Sequence, residues 1–586
     1  MFERLQELIR KAEEEVSTSE GLDIPTTGSF EFNPTQYEIR GLFSTAAAFP
    51  LVKQSTISAE DILNRFKNSL EKNGANFFSK LEIKDGFINF SIRPEVIREE
   101  FKKIAEAGKE WGRPRKVASR PRGRVIVEYS QPNIAKPMHV GHLRSTIIGD
   151  ALANVLEFAG CEVIRWNYLG DWGTQFGNVI AAYKLWGEEE EVQKKLKETP
   201  IEALAELYAR FHEAMQKDPS PAMRSSLEER GRKEFRDLEE DNSENWELWG
   251  RFNKESIKEL EKIYALLGIE FDEWKGESSY RHDLPSLIAS LQEKGIARES
   301  EGAVIVSLEK YNLPPALIQK SDGATLYLTR DIASLKDRVE SEEYKADSIL
   351  YVVDNGQSLH FQQLFAIAEI LGLKGKFIHV KFGLVLGEDL KRLSTRAGSH
   401  IALLEVINEA VGRARKIIEE KQPDMTDVDK EKVAQVVGIG VLKYNDLSQS
   451  RVADITFDWD KMLSLQGNSA PYLQYTYARL KSILRKAGNI PSLETGAIEK
   501  EADLRLILRL AFFPEVIKAV SENYLPHQLA TYLYELARAI NDYYEKEPIL
   551  KAETELRAAR LQLVKAASET LETGLGLLGI RVPERM

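Results

Sequence analysis

The segment RVIVEYSQPNIAKPMHVGHLRSTIIGDAL, which begins at Arg124, sets two histidines, His139 and His142, on either side of Gly141. An apolar run, Val125 to Val127, precedes them, and Leu143, Ile147, Ile148, Ala151, Leu152 and Val155 follow at spacings of three and four. That pattern predicts a strand that turns into an amphipathic helix. The histidines then stand at the carboxyl end of a strand and the amino end of a helix, where unpaired backbone amides favour anions. Gly141 removes a side chain, so a phosphate can come close to the backbone. Two imidazoles there can hydrogen-bond phosphate oxygens while charge builds on them in an in-line displacement. A zinc ion would want a third protein ligand, which the nearby sequence does not offer. Solvated histidines at a helix start are the plain alternative.

The flanking residues add to this. Glu128 and Asn133 bracket the loop on its strand side. An acid beside an anion site points to a second substrate that carries positive charge. Further on, GATLYLTRDIASLKDR puts Tyr327 and Asp331 four apart, on one face of a helix. YVVDNGQSLHFQQLF sets Gln357 and His360 after another apolar run. Singly, Asp331 reads equally well as a helix cap, Tyr327 as core and Gln357 as a loop residue. GEDLKRLSTRAG then holds Lys391, Arg392 and Arg396 with the hydroxyls of Ser394 and Thr395. It is either a solvated turn or a basic loop that clamps phosphates.

These residues need a parallel sheet to hold them. Strand, helix and a second strand, CEVIRWNYLG, make a βαβ unit. Further strand signals lie at AVIVSL, SILYVV and FIHVKFGLVL. Residues 1 to about 110 read as a small α+β domain with a helix near Ala59 to Leu70 and strands in LEIKDGFINFSI. Residues 187 to about 265 are acidic and helical, and from about Thr426 the chain is nearly all helix, a bundle. Its 586 residues call for three or four domains. With 43% hydrophobic and 29% charged residues and no apolar run near 18 residues, the composition fits a soluble chain without a membrane span. The amino terminus has no apolar signal core, which makes the cytoplasm the expected compartment. Cys161 is the one cysteine, so no intramolecular disulfide or cysteine-rich zinc site forms. A net charge of −12 argues against a uniformly basic nucleic-acid coat. Lys102 to Arg124 nonetheless holds nine basic residues against two acids, either a solvated linker or a phosphate-contacting strip.

The sequence resembles a class I aminoacyl-tRNA synthetase, and within that class an arginyl-tRNA synthetase. HVGH is similar to the first signature of the class, and RLSTR, residues 392–396, stands where the second, KMSKS, belongs. The arginyl likeness rests on VEYSQPNIAKPMHVGHLRSTIIGD, NYLGDWGTQFG, LYLTRDIA, GQSLHFQQLF, DWDKMLSLQGNSAPYLQY and the terminal VPERM. It implies an α/β fold: a Rossmann-type parallel-sheet catalytic domain with a helical insertion at about 187–265, an N-terminal α+β domain and a C-terminal all-α anticodon-binding bundle. The expected divisions are 1–112, 113–385, a loop and connector at 386–430, and 431–586. The implied reaction joins L-arginine to tRNA(Arg) at the expense of ATP, with Mg2+ accompanying the ATP, no structural zinc, and a monomeric enzyme. On this likeness Ser130 and Asn133 hold the α-amino and carboxylate end of arginine. Glu128, Tyr327 and Asp331 surround its guanidinium, and Gln357 helps close the pocket. A carboxylate takes that planar fork with two parallel hydrogen bonds. His139, Gly141 and His142 contact ATP, and Arg392, Ser394 and Arg396 form the second signature. Thr395 departs from that signature, where a second lysine is usual, and Lys136 is expected to supply the missing charge. Tyr544 and Met586 match anticodon-contacting positions, and Asn89, near Phe87 and Phe90, is a candidate for the outer corner of the tRNA.

Overall fold

The computed structural model describes residues 1–32, 43–114, 123–217, 221–386, 401–493 and 495–586. Arg392, Ser394 and Arg396, with the rest of the RLSTR loop, lie outside the described residues. A four-stranded parallel sheet sits at the centre, its strands in the order Lys376–His379, Ser348–Tyr351, Arg124–Glu128, Glu162–Trp166. These short β-branched and apolar runs suit a sheet covered on both faces. Side chains alternate along the Arg124–Glu128 strand. Val125 and Val127 enter a core shared with the Val140–Phe158 helix and the C-terminal helices. Ile126 enters a second core with Trp166, Ile349 and Tyr351. The same alternation turns Glu128 toward that second core.

AVIVSL does not join the parallel sheet. Ala303–Val306 is the middle strand of a separate antiparallel sheet, between Ala297–Ser300 and Ala316–Gln319. The cause is local: Glu301 and Gly302 both have positive φ (51° and 78°), a two-residue turn that folds neighbouring strands back on each other. Five helices, from Thr174–Trp186 to Ser243–Leu267, and then the Leu284–Glu293 helix stand between the Glu162–Trp166 strand and this sheet. The C-terminal part is helical from Leu403–Lys421 to Thr554–Leu577. In the last helix Leu563, Ala567, Leu571 and Leu575 are buried, as their spacing predicts.

The N-terminal part pairs the Phe2–Glu20 and Ala59–Asn73 helices with an antiparallel sheet that includes Phe78–Lys84 and Phe87–Ile92. It packs on the C-terminal helices: the Phe2 ring meets Phe512 at 5.4 Å, and Trp111 Nε1 donates to Leu510 O at 2.9 Å. In the basic stretch Lys102, Lys103, Lys109, Arg113 and Arg124 each pair with a carboxylate. That favours the structural reading over a phosphate strip; Arg115, Lys116, Arg120 and Arg122 lie outside the described residues. Among the described residues no helix is long and apolar enough to cross a membrane.

Two buried ion pairs tie the Val140–Phe158 helix to the Asp427–Leu447 helix. Arg144 forks onto Asp446, with Nε–Oδ2 at 3.1 Å and Nη2–Oδ1 at 3.0 Å, and Lys443 Nζ stands 3.5 Å from Asp150 Oδ2. Arg144 also donates to the carbonyls of Ala453 (2.9 Å) and Arg451 (3.3 Å). The helix that starts at the histidines is thus held from the C-terminal side of the molecule.

Candidate active site

His139 is the N-cap of the Val140–Phe158 helix. Its Nδ1 accepts the Gly141 N–H at 3.1 Å, and the Nδ1 of His142 accepts the His139 N–H at 3.1 Å. A neutral ring whose Nδ1 accepts carries its proton on Nε2, so both imidazoles are Nε2–H donors. Their centroids are 4.0 Å apart. Gly141 meets a second constraint besides the expected one. An added Cβ there would come within 2.8 Å of the His139 ring, so the glycine makes room for the imidazole. Upstream, Ser130, Gln131 and Ala135 hold φ of 73°, 52° and 61°. Left-handed non-glycine residues cost roughly 1–3 kcal/mol each and gather at functional sites.

A cavity of about 460 Å³ opens beyond the carboxyl ends of the parallel strands. Ser130, Asn133, His139, Gly141, His142 and Gln357 line it, together with Arg144, which sequence reading missed. Asn133 and Gln357 are exposed to it. Ser130 differs from expectation: its hydroxyl is buried, 2.6 Å from the Tyr264 hydroxyl and 2.8 Å from Thr146 Oγ1. Through these bonds the hydroxyl braces the loop from below. Lys136 is not among the lining residues. Its Nζ lies over the Tyr208 ring at 5.0 Å, on a helix of the insertion.

The acidic residues form a second cluster beside this cavity. Tyr327 opens the Tyr327–Glu340 helix and is 62% exposed, with the Arg330 guanidinium over its ring. Asp331, one turn on, accepts a bond to its Oδ2 from His360 Nε2 at 2.6 Å. Glu128, expected beside the substrate guanidinium, meets a guanidinium of the protein itself. It is 3% exposed, and its carboxylate is taken by the Arg338 guanidinium and by Gln131 Nε2 at 2.5 Å. Arg338 is itself buried over the Trp166 ring, 4.1 Å from its centroid. Burial raises the Glu128 carboxyl above its ordinary value, Arg338 opposes this, and the charge of Asp331 adds to it. Glu277, also missed, is buried against Arg330 at 3.2 Å, and burial pushes it up to about 8. The signal for Arg338 was present: with Tyr327 and Asp331 it forms an i, i+4, i+11 series, one face of a helix.

At the far end of the molecule Tyr544 is 43% exposed. Arg479 lies 5.2 Å from its ring and 5.0 Å from that of Tyr475, and donates to Asn541 Oδ1 at 2.6 Å. Met586 is half-buried, packed on the core, and its carbonyl accepts from Gln422 at 3.1 Å. Asn89 is 5% exposed, in the middle of the antiparallel sheet, so its side chain is not open to an RNA in this structure.

A histidine pair at a helix start beyond the ends of parallel strands, with a helical bundle joined behind it, is the arrangement of a class I aminoacyl-tRNA synthetase. Residues 110–459 match the family of tRNA synthetases class I (R), catalytic domain; 473–586 match the DALR anticodon binding domain; and 3–92 match the arginyl tRNA synthetase N terminal domain. An arginine–tRNA ligase of Halothermothrix orenii is 41% identical over 539 residues, 91% of each chain. The solved arginyl-tRNA synthetase of Thermus thermophilus superposes with a TM-score of 0.81 at 27% identity, covering 99% of this chain and 100% of its own. That of Plasmodium falciparum gives 0.79 at 25% identity, over 100% and 99%. The chain belongs to the arginyl-tRNA synthetase family.

Proposed function

We propose how the residues of this site serve the family's reaction. The chain charges tRNA with arginine, using ATP. The arginine carboxylate attacks the α-phosphorus of ATP and pyrophosphate leaves; a hydroxyl at the tRNA 3′ end then attacks the arginyl carbonyl and AMP leaves. In our reading His139 and His142 donate their Nε2–H groups to phosphate oxygens of ATP, at a helix amino terminus that favours anions. ATP enters with Mg2+. Arg392, Ser394 and Arg396 approach the triphosphate from the second-signature loop, and Lys136 leaves Tyr208 to add its charge. Asn133 and Gln357 orient the arginine, whose guanidinium meets Asp331 beside Tyr327. Glu128 acts at one remove, by holding Arg338. The bundle face around Tyr544 stacks on unpaired anticodon bases. The divisions 1–112, 113–385, 386–430 and 431–586 are the units of this work, in a monomer that acts in the cytoplasm on tRNA(Arg).

The observation that carries the reading is the cavity at the strand ends, lined by both histidines, Asn133 and Gln357, with an acidic cluster beside it. Its test is arginine-dependent exchange of pyrophosphate into ATP, with and without tRNA, alongside charging of tRNA. Exchange and charging that fall at least a hundredfold in H142A support it. Full activity in that variant refutes the role given to the histidines. Sedimentation at working concentration tests the monomer.

A further inference from the structure

Three carboxylates lie along the Tyr327–Glu340 helix, and each has a different partner. Glu128 faces Arg338 and Glu277 faces Arg330; both are buried pairs whose cation is part of the protein. Asp331 differs. Among the described residues it meets no lysine or arginine within ion-pair reach, and its partner is His360 at 2.6 Å. Asp331 and His360 are also more open, with side chains 21% and 22% exposed. Asp331 acts on the same charges as its neighbours, because its own charge is felt by Glu128, Glu277 and the buried Tyr168. Among the described residues the cluster therefore has resident guanidinium groups for two of its acids and none for the third.

We propose that His360 is a positioning residue that determines specificity: by donating its Nε2–H to Asp331 Oδ2, it fixes that carboxylate so that Oδ1 faces the guanidinium of the substrate. This rests on the reading of Asp331 as the guanidinium's acceptor. A carboxylate rotates freely about its last bond unless one oxygen is tied, and a bidentate fork needs both oxygens in one plane with the guanidinium. His360 sits in the first turn of the Ser358–Ile370 helix, with its ring edge-on to Phe361 at 5.3 Å, so the ring itself is held. A histidine suits the place better than a lysine or arginine. A histidine donates one ring N–H at this distance, whereas a lysine or arginine would bring a permanent cation that competes with the substrate.

The test is pyrophosphate exchange in the presence of tRNA, with KM for arginine, KM for ATP and kcat measured for His360→Phe, His360→Gln and Asp331→Asn. His360→Phe is expected to raise KM for arginine about tenfold to a hundredfold, the worth of a hydrogen bond to a charged group, while KM for ATP stays within about twofold. His360→Gln, whose amide N–H reaches as far as Nε2, is expected to restore KM for arginine to within about threefold of the native value. If phenylalanine prevents folding, His360→Ala takes its place. An unchanged KM for arginine in His360→Phe, with Asp331→Asn impaired, overturns the role of His360 alone. Equal rises in both KM values mark a merely structural role and also overturn it. An unimpaired Asp331→Asn overturns the reading of the pocket on which the proposal stands.

Discussion

Glu128→Gln separates two roles for the acid that ends the central strand. The Glu128 and Arg338 side chains are 4% and 1% exposed. Removing one partner of so buried a pair costs about 3–5 kcal/mol, because the other charge is left without compensation. Glutamine keeps an acceptor oxygen, and a hydrogen bond from a charged donor is worth about 1.5 kcal/mol. The contact of Arg338 with the Trp166 face, at 4.1 Å, survives as well. The expected net loss is about 2–3 kcal/mol. At about 2 °C per kcal/mol, the value for large domains, the melting temperature of the free enzyme falls by about 4–6 °C. Thermal denaturation followed by circular dichroism measures this. A cycle with Arg338→Met and the double variant is expected to show a coupling near 2 kcal/mol. In parallel, KM for arginine is expected to rise by less than about tenfold, since in the proposed site the guanidinium meets Asp331 and Glu128 acts by holding Arg338. A melting temperature unchanged within about a degree, together with a hundredfold rise in KM for arginine, would refute the reasoning. It would mean that Glu128 waits for the substrate and that Arg338 does not hold it.

Asp446→Ala removes the acid under Arg144, but three carbonyls still accept from that guanidinium; a loss of about 3 kcal/mol in thermal stability is expected, and a shift under about a degree would contradict it. Glu277 binds its proton more tightly when folded, its carboxyl raised from 4.5 to about 8 by burial. Its burial therefore costs nothing below pH 4.5 and progressively more as pH rises to about 8, up to roughly 5 kcal/mol. Melting curves of Glu277→Gln are expected to lose less stability between pH 5.5 and 8.5 than those of the native protein, and equal slopes would refute this. Gly141→Ala brings a Cβ within 2.8 Å of the His139 ring; at least a tenfold loss in kcat/KM for ATP is expected, with KM for arginine little changed. Unaltered ATP kinetics would show that the ring has room to move aside.

Much of the scaffold was legible because it is local. The apolar run before His139 and the spacing of three and four after His142 report a strand and a helix without reference to any distant residue. The helical insertion and the C-terminal bundle show in the same way. AVIVSL was legible as a strand but not as a member of a second sheet, since a two-residue turn with positive φ at Glu301 carries no strong sequence mark. The contact of Gly141 with the His139 ring was not legible, because the ring that needs its space is placed by a hydrogen bond from the Gly141 amide.

The sequence by itself determined which residues carry charge and which helical or strand face they share: His139 with His142 at a helix start, Tyr327 with Asp331 on one face, Glu128 at a strand end. Only the tertiary structure decided what each charge meets. Glu128 and Arg338 are 210 residues apart in the chain, and Arg144 and Asp446 are 302 apart. Periodicity identifies the buried face of an element, but the partner across that face depends on the order of strands in the sheet and on which helix lies over it. A buried ion pair is written in two places that no local pattern connects. For that reason Asp331, which among the described residues meets no lysine or arginine, could be named from the sequence but told apart from Glu128 only in the folded chain.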